Sequence, residues 1–286
     1  MSLFKKVYGS FTLSALVIAA ALSVARIFLM NYFYDPNLEN YMTTTNMPML
    51  YNVLLIVCCI ALFSVYFFVQ PPKKSAVIPQ STVSSLFASS LCGFFFISSV
   101  FLVVYINFDF FANNGLAMAW SRGEKIEVIS FLLTIILSLP SAVFFLKAES
   151  TKGNDDTAVQ VLSFFPVLWS ISYLIYLYFD NSVVINNSEK LYAQLSVIFI
   201  MLYLTSEAKY RITKPKHHLH LALSLVTIVV VATYCIPNLI LTVMLVLPFD
   251  EFSIYSGLQV AILIYAVVRT FQFASFKLHE KTAESV

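Results

Sequence analysis

The sequence predicts an all-α, polytopic transmembrane helical bundle of about eight spans with both termini cytoplasmic, and three observations carry that expectation. First, 59% of the 286 residues are apolar. A helix needs about 20 apolar residues to cross a hydrocarbon core about 30 Å thick, so eight crossings would absorb nearly all of that supply. Second, charged residues are 11% of the chain, against about 25% in ordinary soluble domains. Third, the lysines and arginines gather at alternate ends of the apolar runs. This composition excludes a soluble enzyme and a disordered chain. A formal net charge of +2 leaves no electrostatic footprint for nucleic acid.

The runs cover residues 7–33, 49–69, 82–106, 126–146, 158–179, 191–206, 219–247 and 253–276, within one integral membrane domain that fills 1–286. Such runs are helical in lipid, because a helix satisfies all its backbone polar groups within its own segment. Run one follows Lys5 and Lys6 and has the outline of a signal peptide. Its apolar stretch continues through Ile27, Phe28, Leu29 and Met30, too long for a cleaved leader, so it reads as an uncleaved anchor. Run three carries Ser81, Ser85, Ser89 and Gly93 at every fourth position. A face of small residues lets helices approach closely, either within the bundle or against a second subunit, and intramolecular packing is the safer expectation. Between runs three and four, Asn113-Asn114-Gly115 signals a turn before Leu116 to Trp120, which read as an interfacial helix or a partial re-entrant dip.

Run five sets Trp169, Tyr173 and Tyr176 on one face, suited to a ligand cavity or to an outer aromatic belt. Run seven is longer than a straight crossing requires, and Pro237 interrupts it. A proline there removes a backbone donor and clashes with the carbonyl of Thr233. Asn238 follows directly and Tyr234 lies one turn earlier. Irregular backbone at membrane depth survives where protein or a water-filled cavity satisfies it, so Thr233, Tyr234 and Asn238 are expected to border an internal cavity. An ordinary kink in an over-long helix is the competing reading. Pro140 in run four is a second candidate break.

The connections set the orientation. Lys5, Lys6, Lys73, Lys74, Lys147, Lys152, Lys209, Arg211, Lys214, Lys216, Lys277 and Lys281 fall at one set of ends, and only Arg122, Lys125 and Lys190 fall at the other. Twelve against three places the first set in the cytoplasm. Arg26 and Arg269 lie within spans. By depth, Arg26 stands level with Glu127 near the outer ends, and Glu207 with Arg269 near the inner ends, which suggests two intramembrane charge pairs. Snorkelling to headgroups is the competing account, and Glu207 also has Arg211 at i+4.

Catalytic patterns are absent: there is no H-E-x-x-H, no G-x-S-x-G and no pair of span aspartates. The cluster of His217, His218 and His220 reads as a polar juxtamembrane segment rather than a metal site. Asp35 and Glu39 read as ordinary loop polarity. Cys58, Cys59, Cys92 and Cys235 all lie in apolar runs, as buried free thiols do. No enzyme, cofactor or metal is expected.

Tyr34-Asp35-Pro36, together with Asn187-Ser188-Glu189-Lys190 leading into the stretch from Leu202 to Arg211, resembles a group of multi-pass membrane proteins of Firmicutes. The resemblance covers a minor part of the chain. It implies a bacterial plasma membrane and carries no activity with it.

Two functions remain in view. One is a small permease or ligand-binding membrane protein whose ligand meets Thr233, Tyr234 and Asn238, with Trp169 and Tyr173 on a facing helix. The other is a non-transporting complex subunit or sensor that docks a partner through its helices, with Ser81, Ser85, Ser89 and Gly93 as the docking stripe. The mid-membrane polar set is thin, chiefly Ser138, Ser170, Asn238 and Tyr265, which weighs against a full aqueous path. The lipid bilayer is the one partner common to both.

Overall fold

A computed structural model describes residues 3–35, 40–41, 46–68, 81–149, 157–180, 187–212 and 217–275. Helix α1 (Leu3–Phe33) runs into a two-rung antiparallel hairpin, β1 (Tyr34–Asp35) and β2 (Asn40–Tyr41), in which Tyr34 faces Tyr41. Then come α2 (Met47–Phe63), α3 (Val65–Phe68), α4 (Val83–Ile106), α5 (Phe108–Ala112), α6 (Gly115–Ser121) and α7 (Lys125–Ala148). The last five helices are α8 (Thr157–Leu162), α9 (Phe165–Phe179), α10 (Ser188–Ile212), α11 (His217–Val243) and α12 (Glu251–Ser275).

Among the described residues, seven helices are long and apolar enough to cross a membrane: Gly9–Phe33, Val83–Ile106, Lys125–Ala148, Thr157–Phe179, Ser188–Ile212, His218–Val243 and Glu251–Phe273. The expected second run differs. It forms the 17-residue α2, about 26 Å long at about 1.5 Å per residue, then breaks at Ser64 before the short α3. The Ser64 hydroxyl donates to the Ala61 carbonyl at 2.6 Å, a local bond that competes with the regular helix ladder.

Helix packing closes a ring: α11, α12, α4, α7, α9 and α10, with α10 returning to α11. Helices α1 and α2 cover the other side of α11. That makes α11 the central element, with 83% of its apolar window buried. Aromatic side chains fill the ring. Phe145 stacks on Phe96, whose edge meets Trp169; Trp169 stacks on Tyr173, and Tyr173 lies 4.4 Å from Tyr255 between ring centres. Large apolar side chains such as Val24, Phe87, Phe101 and Ile60 point outward. A soluble monomer rarely exposes apolar surface on this scale, whereas lipid accepts it.

The small-residue face of α4 is used inside the bundle. The Ser89 hydroxyl donates to the Phe145 carbonyl, and Ser85 Oγ donates to Glu149 Oε2 at 2.9 Å. A Cβ at Gly93 would lie 2.7 Å from Leu146 Cγ and 3.1 Å from the Ala142 carbonyl. Helix α7 therefore occupies the stripe at Ser85, Ser89 and Gly93, while Ser81 is exposed just before the helix. Thr82 caps α4, accepting from the Ser85 amide at 3.2 Å.

The loop after α4 folds as α5 and α6. Asn114 takes the left-handed conformation at φ 59°, and a Cβ at Gly115 would meet the Phe110 carbonyl at 2.6 Å, so the turn requires glycine there. Of the residues behind the expected orientation, Lys73, Lys74, Lys152, Lys214, Lys216, Lys277 and Lys281 lie outside the described residues, as do Glu39, Pro36 and His279. The ends of α1, α4, α9 and α11 that lie with the β1–β2 hairpin are called the hairpin end below, and the opposite end the far end.

Candidate functional site

At the far end the last turn of α10, the last third of α12 and the C-terminus of α7 bring four charges together. Glu207 Oε1 accepts from Arg269 Nη2 at 2.8 Å and from Arg211 Nη2 at 3.1 Å. The Tyr265 hydroxyl adds a third bond to the same oxygen at 3.2 Å. Glu149 Oε1 lies 3.2 Å from both Arg211 Nη2 and Arg269 Nη1. Outer contacts fix the cluster: Arg211 Nη1 donates to the Ala148 carbonyl at 3.1 Å, Arg269 Nη1 to Gln272 Oε1 at 2.9 Å, and Gln272 Nε2 to Thr82 Oγ1 at 2.9 Å. His220 Nε2 of α11 faces Glu207 Oε2 at 3.5 Å, and its Nδ1 shares a hydrogen bond with the Ser206 hydroxyl at 2.9 Å. Removing charge from water is costly unless each group meets opposite charge and good hydrogen bonds, and here two arginines balance two glutamates.

At the hairpin end, Arg26 is fully buried. The expected partnership with Glu127 does not form. Arg26 Nη2 meets Glu189 Oε2 at 2.5 Å, and its guanidinium carbon lies 3.7 Å over the Tyr192 ring. Equal depth fixes a level and not a neighbour: α1 packs on α11 and α2, whereas α7, which carries Glu127, packs on α9 and α4. The Tyr41 hydroxyl donates to Glu189 Oε1 at 3.2 Å, tying the β hairpin to this cluster. Burial pushes the Tyr41 hydroxyl pKa up, only partly offset by the charge of Arg26.

Pro237 lies inside α11, which continues through it. The carbonyl of Thr233 loses its i+4 amide partner there. Arg26 Nη1 takes that place, donating to the Thr233 carbonyl at 2.9 Å, and Ser23 Oγ donates to the neighbouring Ala232 carbonyl at 3.1 Å. The sequence marks the break, and the structure supplies the arginine that satisfies it.

A cavity of about 370 Å³ opens beside this break. Tyr234 and Asn238 of α11 line it, with Asp180 after α9, Glu189 and Lys190 of α10, and Asp250 before α12. Thr233, Trp169 and Tyr173, expected at the ligand, are not among its lining residues. The Thr233 hydroxyl bonds back to the Val230 carbonyl at 2.8 Å, and Trp169 and Tyr173 are fully buried in the aromatic filling of the ring. Lys190 Nζ donates to the Asp180 carbonyl at 2.5 Å. Asp250 Oδ1 caps α12 through the Ser253 amide at 2.9 Å. One polar atom of a lining residue, Asn238 Oδ1, is buried without a hydrogen-bond partner among the described residues. A second cavity, of about 200 Å³, shares Asp180 and is lined by Glu124, Glu127 and Glu251. Glu251 is held there by Asn107 Nδ2 at 3.1 Å and by the Tyr176 hydroxyl.

Sequence reasoning missed Glu149, Asp180 and Asp250 as site residues and placed Glu189 only in a motif. Glu149 carried a usable signal, since it directly follows a span at the depth of Arg211. No group of three or more metal-binding side chains occurs among the described residues. The fold and its buried charges have the make-up of a multi-pass helical membrane protein, with polar cavities at its hairpin end. Compared with known protein families, curated proteins and solved structures, the chain matches none of them.

Proposed function

We propose that the chain is a membrane protein that admits a small molecule at its hairpin end and works as a small permease. The observation that carries this reading is the cavity beside Pro237, where a gap in the hydrogen-bond ladder of the central helix, the unpaired Asn238 Oδ1 and ionisable side chains meet. Its volume lies at the lower end of the about 300–1,000 Å³ range of small-molecule sites. Transporters place substrates at such helix discontinuities near the middle of the bilayer. In this reading α2, continued by α3, forms the eighth crossing. Both termini are cytoplasmic, the membrane is a bacterial plasma membrane, and the hairpin end faces outward. The twelve-to-three distribution of bases supports that orientation.

A second reading, a non-transporting sensor or complex subunit, draws on the far end, where the aromatic ring filling and the charge cluster leave a packed seal. Docking through the α4 stripe has lost its main support, because α7 already covers Ser85, Ser89 and Gly93.

The test is the variant Asn238→Cys, with Cys58, Cys59, Cys92 and Cys235 replaced by serine or alanine, in oriented membrane vesicles. A membrane-impermeant thiol reagent is applied from each face. A permease predicts fast labelling from the hairpin face and slower labelling from the other, as the seal opens intermittently. Labelling from the hairpin face alone would favour the sensor. Failure of the reagent to reach the thiol from either face would remove the cavity from both accounts.

A further inference from the structure

We infer that the cavity beside Pro237 takes a small organic monocation, a primary amine with a short apolar body. This rests on the ligand-cavity reading above and deepens it by naming the ligand's chemistry.

The charge count gives the sign. Asp180, Glu189 and Asp250 line the cavity; against them stand Lys190 and, behind Glu189, Arg26. Among the described residues three carboxylates stand against these two bases, so the lining is acidic on balance and suits a ligand that carries positive charge. The adjoining cavity adds Glu124, Glu127 and Glu251 beyond Asp180 and brings no basic lining residue among those described. Together they form a negative mouth that concentrates cations and repels anions.

The hydrogen-bond inventory gives the head group. Asn238 is nine-tenths buried. Asn238 Oδ1 lacks a partner among the described residues, and a carbonyl oxygen can only accept. No hydrogen bond joins Lys190 to Asn238 Oδ1; the Lys190 ammonium donates to the Asp180 carbonyl. A primary ammonium brings three donors and no acceptor, which matches an unmet amide oxygen beside carboxylates. A fully alkylated ammonium has the charge but no donor. The remaining wall is apolar, with Leu177, Ala193, Val246, Leu247 and Phe252. It suits a hydrocarbon body of a few carbons.

The experiment is titration calorimetry of the full chain in lipid nanodiscs with butylamine, butyltrimethylammonium and butyrate as probes, at a pH where the amine is protonated. Butylamine is expected to bind, butyltrimethylammonium several-fold more weakly, and butyrate not at all. Asn238→Leu should weaken butylamine about tenfold, since it removes one hydrogen bond to a charged group. Asn238→Asp keeps the size and adds a carboxylate, so it should bind butylamine at least as tightly as the unmodified chain. It also shows that the position tolerates change without unfolding. Butyrate binding as well as butylamine, with the same dependence on Asn238, would overturn the cationic assignment and leave the cavity reading intact. Binding of neither probe would also overturn it, while labelling of Asn238→Cys judges the cavity itself.

Discussion

At the far end Glu207 and Glu149 each meet two arginines, and all four side chains are at most 5% exposed. At the hairpin end Arg26 meets a single carboxylate, Glu189, which is 18% exposed and opens onto a cavity. Both clusters tie separate helices together, yet they do so at different levels of closure. The far-end cluster joins α7, α10 and α12 directly and reaches α4 through Ser85 and Thr82. The Arg26 cluster joins α1 to α10 and to the interrupted backbone of α11. A buried cluster in which two arginines balance two glutamates ties a bundle together, even with Glu207 Oε2, Arg211 Nε and Arg269 Nε lacking hydrogen-bond partners among the described residues. The Arg26 cluster instead sits beside the proline of α11 and an acid-lined cavity, where we propose that a ligand enters.

The largest effect should come from opening the seal. Arg269→Leu leaves Glu207 short of one partner in a dry site, and losses of this kind run to about 3–5 kcal/mol. Chemical denaturation in detergent would measure it. The charge exchange Glu207→Arg with Arg269→Glu should recover part of that loss, whereas simple additivity would show that the two residues act separately. Arg26→Leu should cost less, about 1–3 kcal/mol, because Glu189 retains solvent access when its partner goes. An Arg26→Leu loss equal to that of Arg269→Leu would erase the contrast between the ends.

A smaller effect sharpens the role of Pro237. Pro237→Ala restores an amide to the Thr233 carbonyl, so Arg26 is no longer needed there. The cost of Arg26→Leu should therefore shrink in the Pro237→Ala background, with a coupling of about 1 kcal/mol in a double-mutant cycle. Independent effects would mean that Arg26 serves Glu189 alone.

Much of this contrast was legible in the sequence, for reasons that differ by residue. Apolar run length located the seven long helices, because the cost of unsatisfied backbone in lipid leaves little choice. The proline at 237 marked the break, since its chemistry acts locally. Depth put Glu207 and Arg269 level, and the structure joins them through α10 and α12. Depth also put Arg26 level with Glu127, and there it misled, because adjacency depends on the order of helices around the ring. The break between α2 and α3 at Ser64 falls inside an uninterrupted apolar run, so hydropathy has no means of seeing it. Trp169 and Tyr173 would present the same pattern whether they lined a cavity or filled a core. In this bundle they fill the core.

If the bundle is locked at its far end and loosened around Pro237, amide hydrogen exchange of the protein in nanodiscs will separate the two regions. Exchange tracks local opening, which is easiest where the backbone ladder is interrupted and beside a polar cavity. Peptides covering residues 234–243 should exchange faster than peptides covering 203–211 and 262–272, where Glu207, Arg211, Tyr265 and Arg269 hold the helices together. Equal protection in the two regions, or faster exchange around Glu207 and Arg269, would mean that the far end is not the locked one.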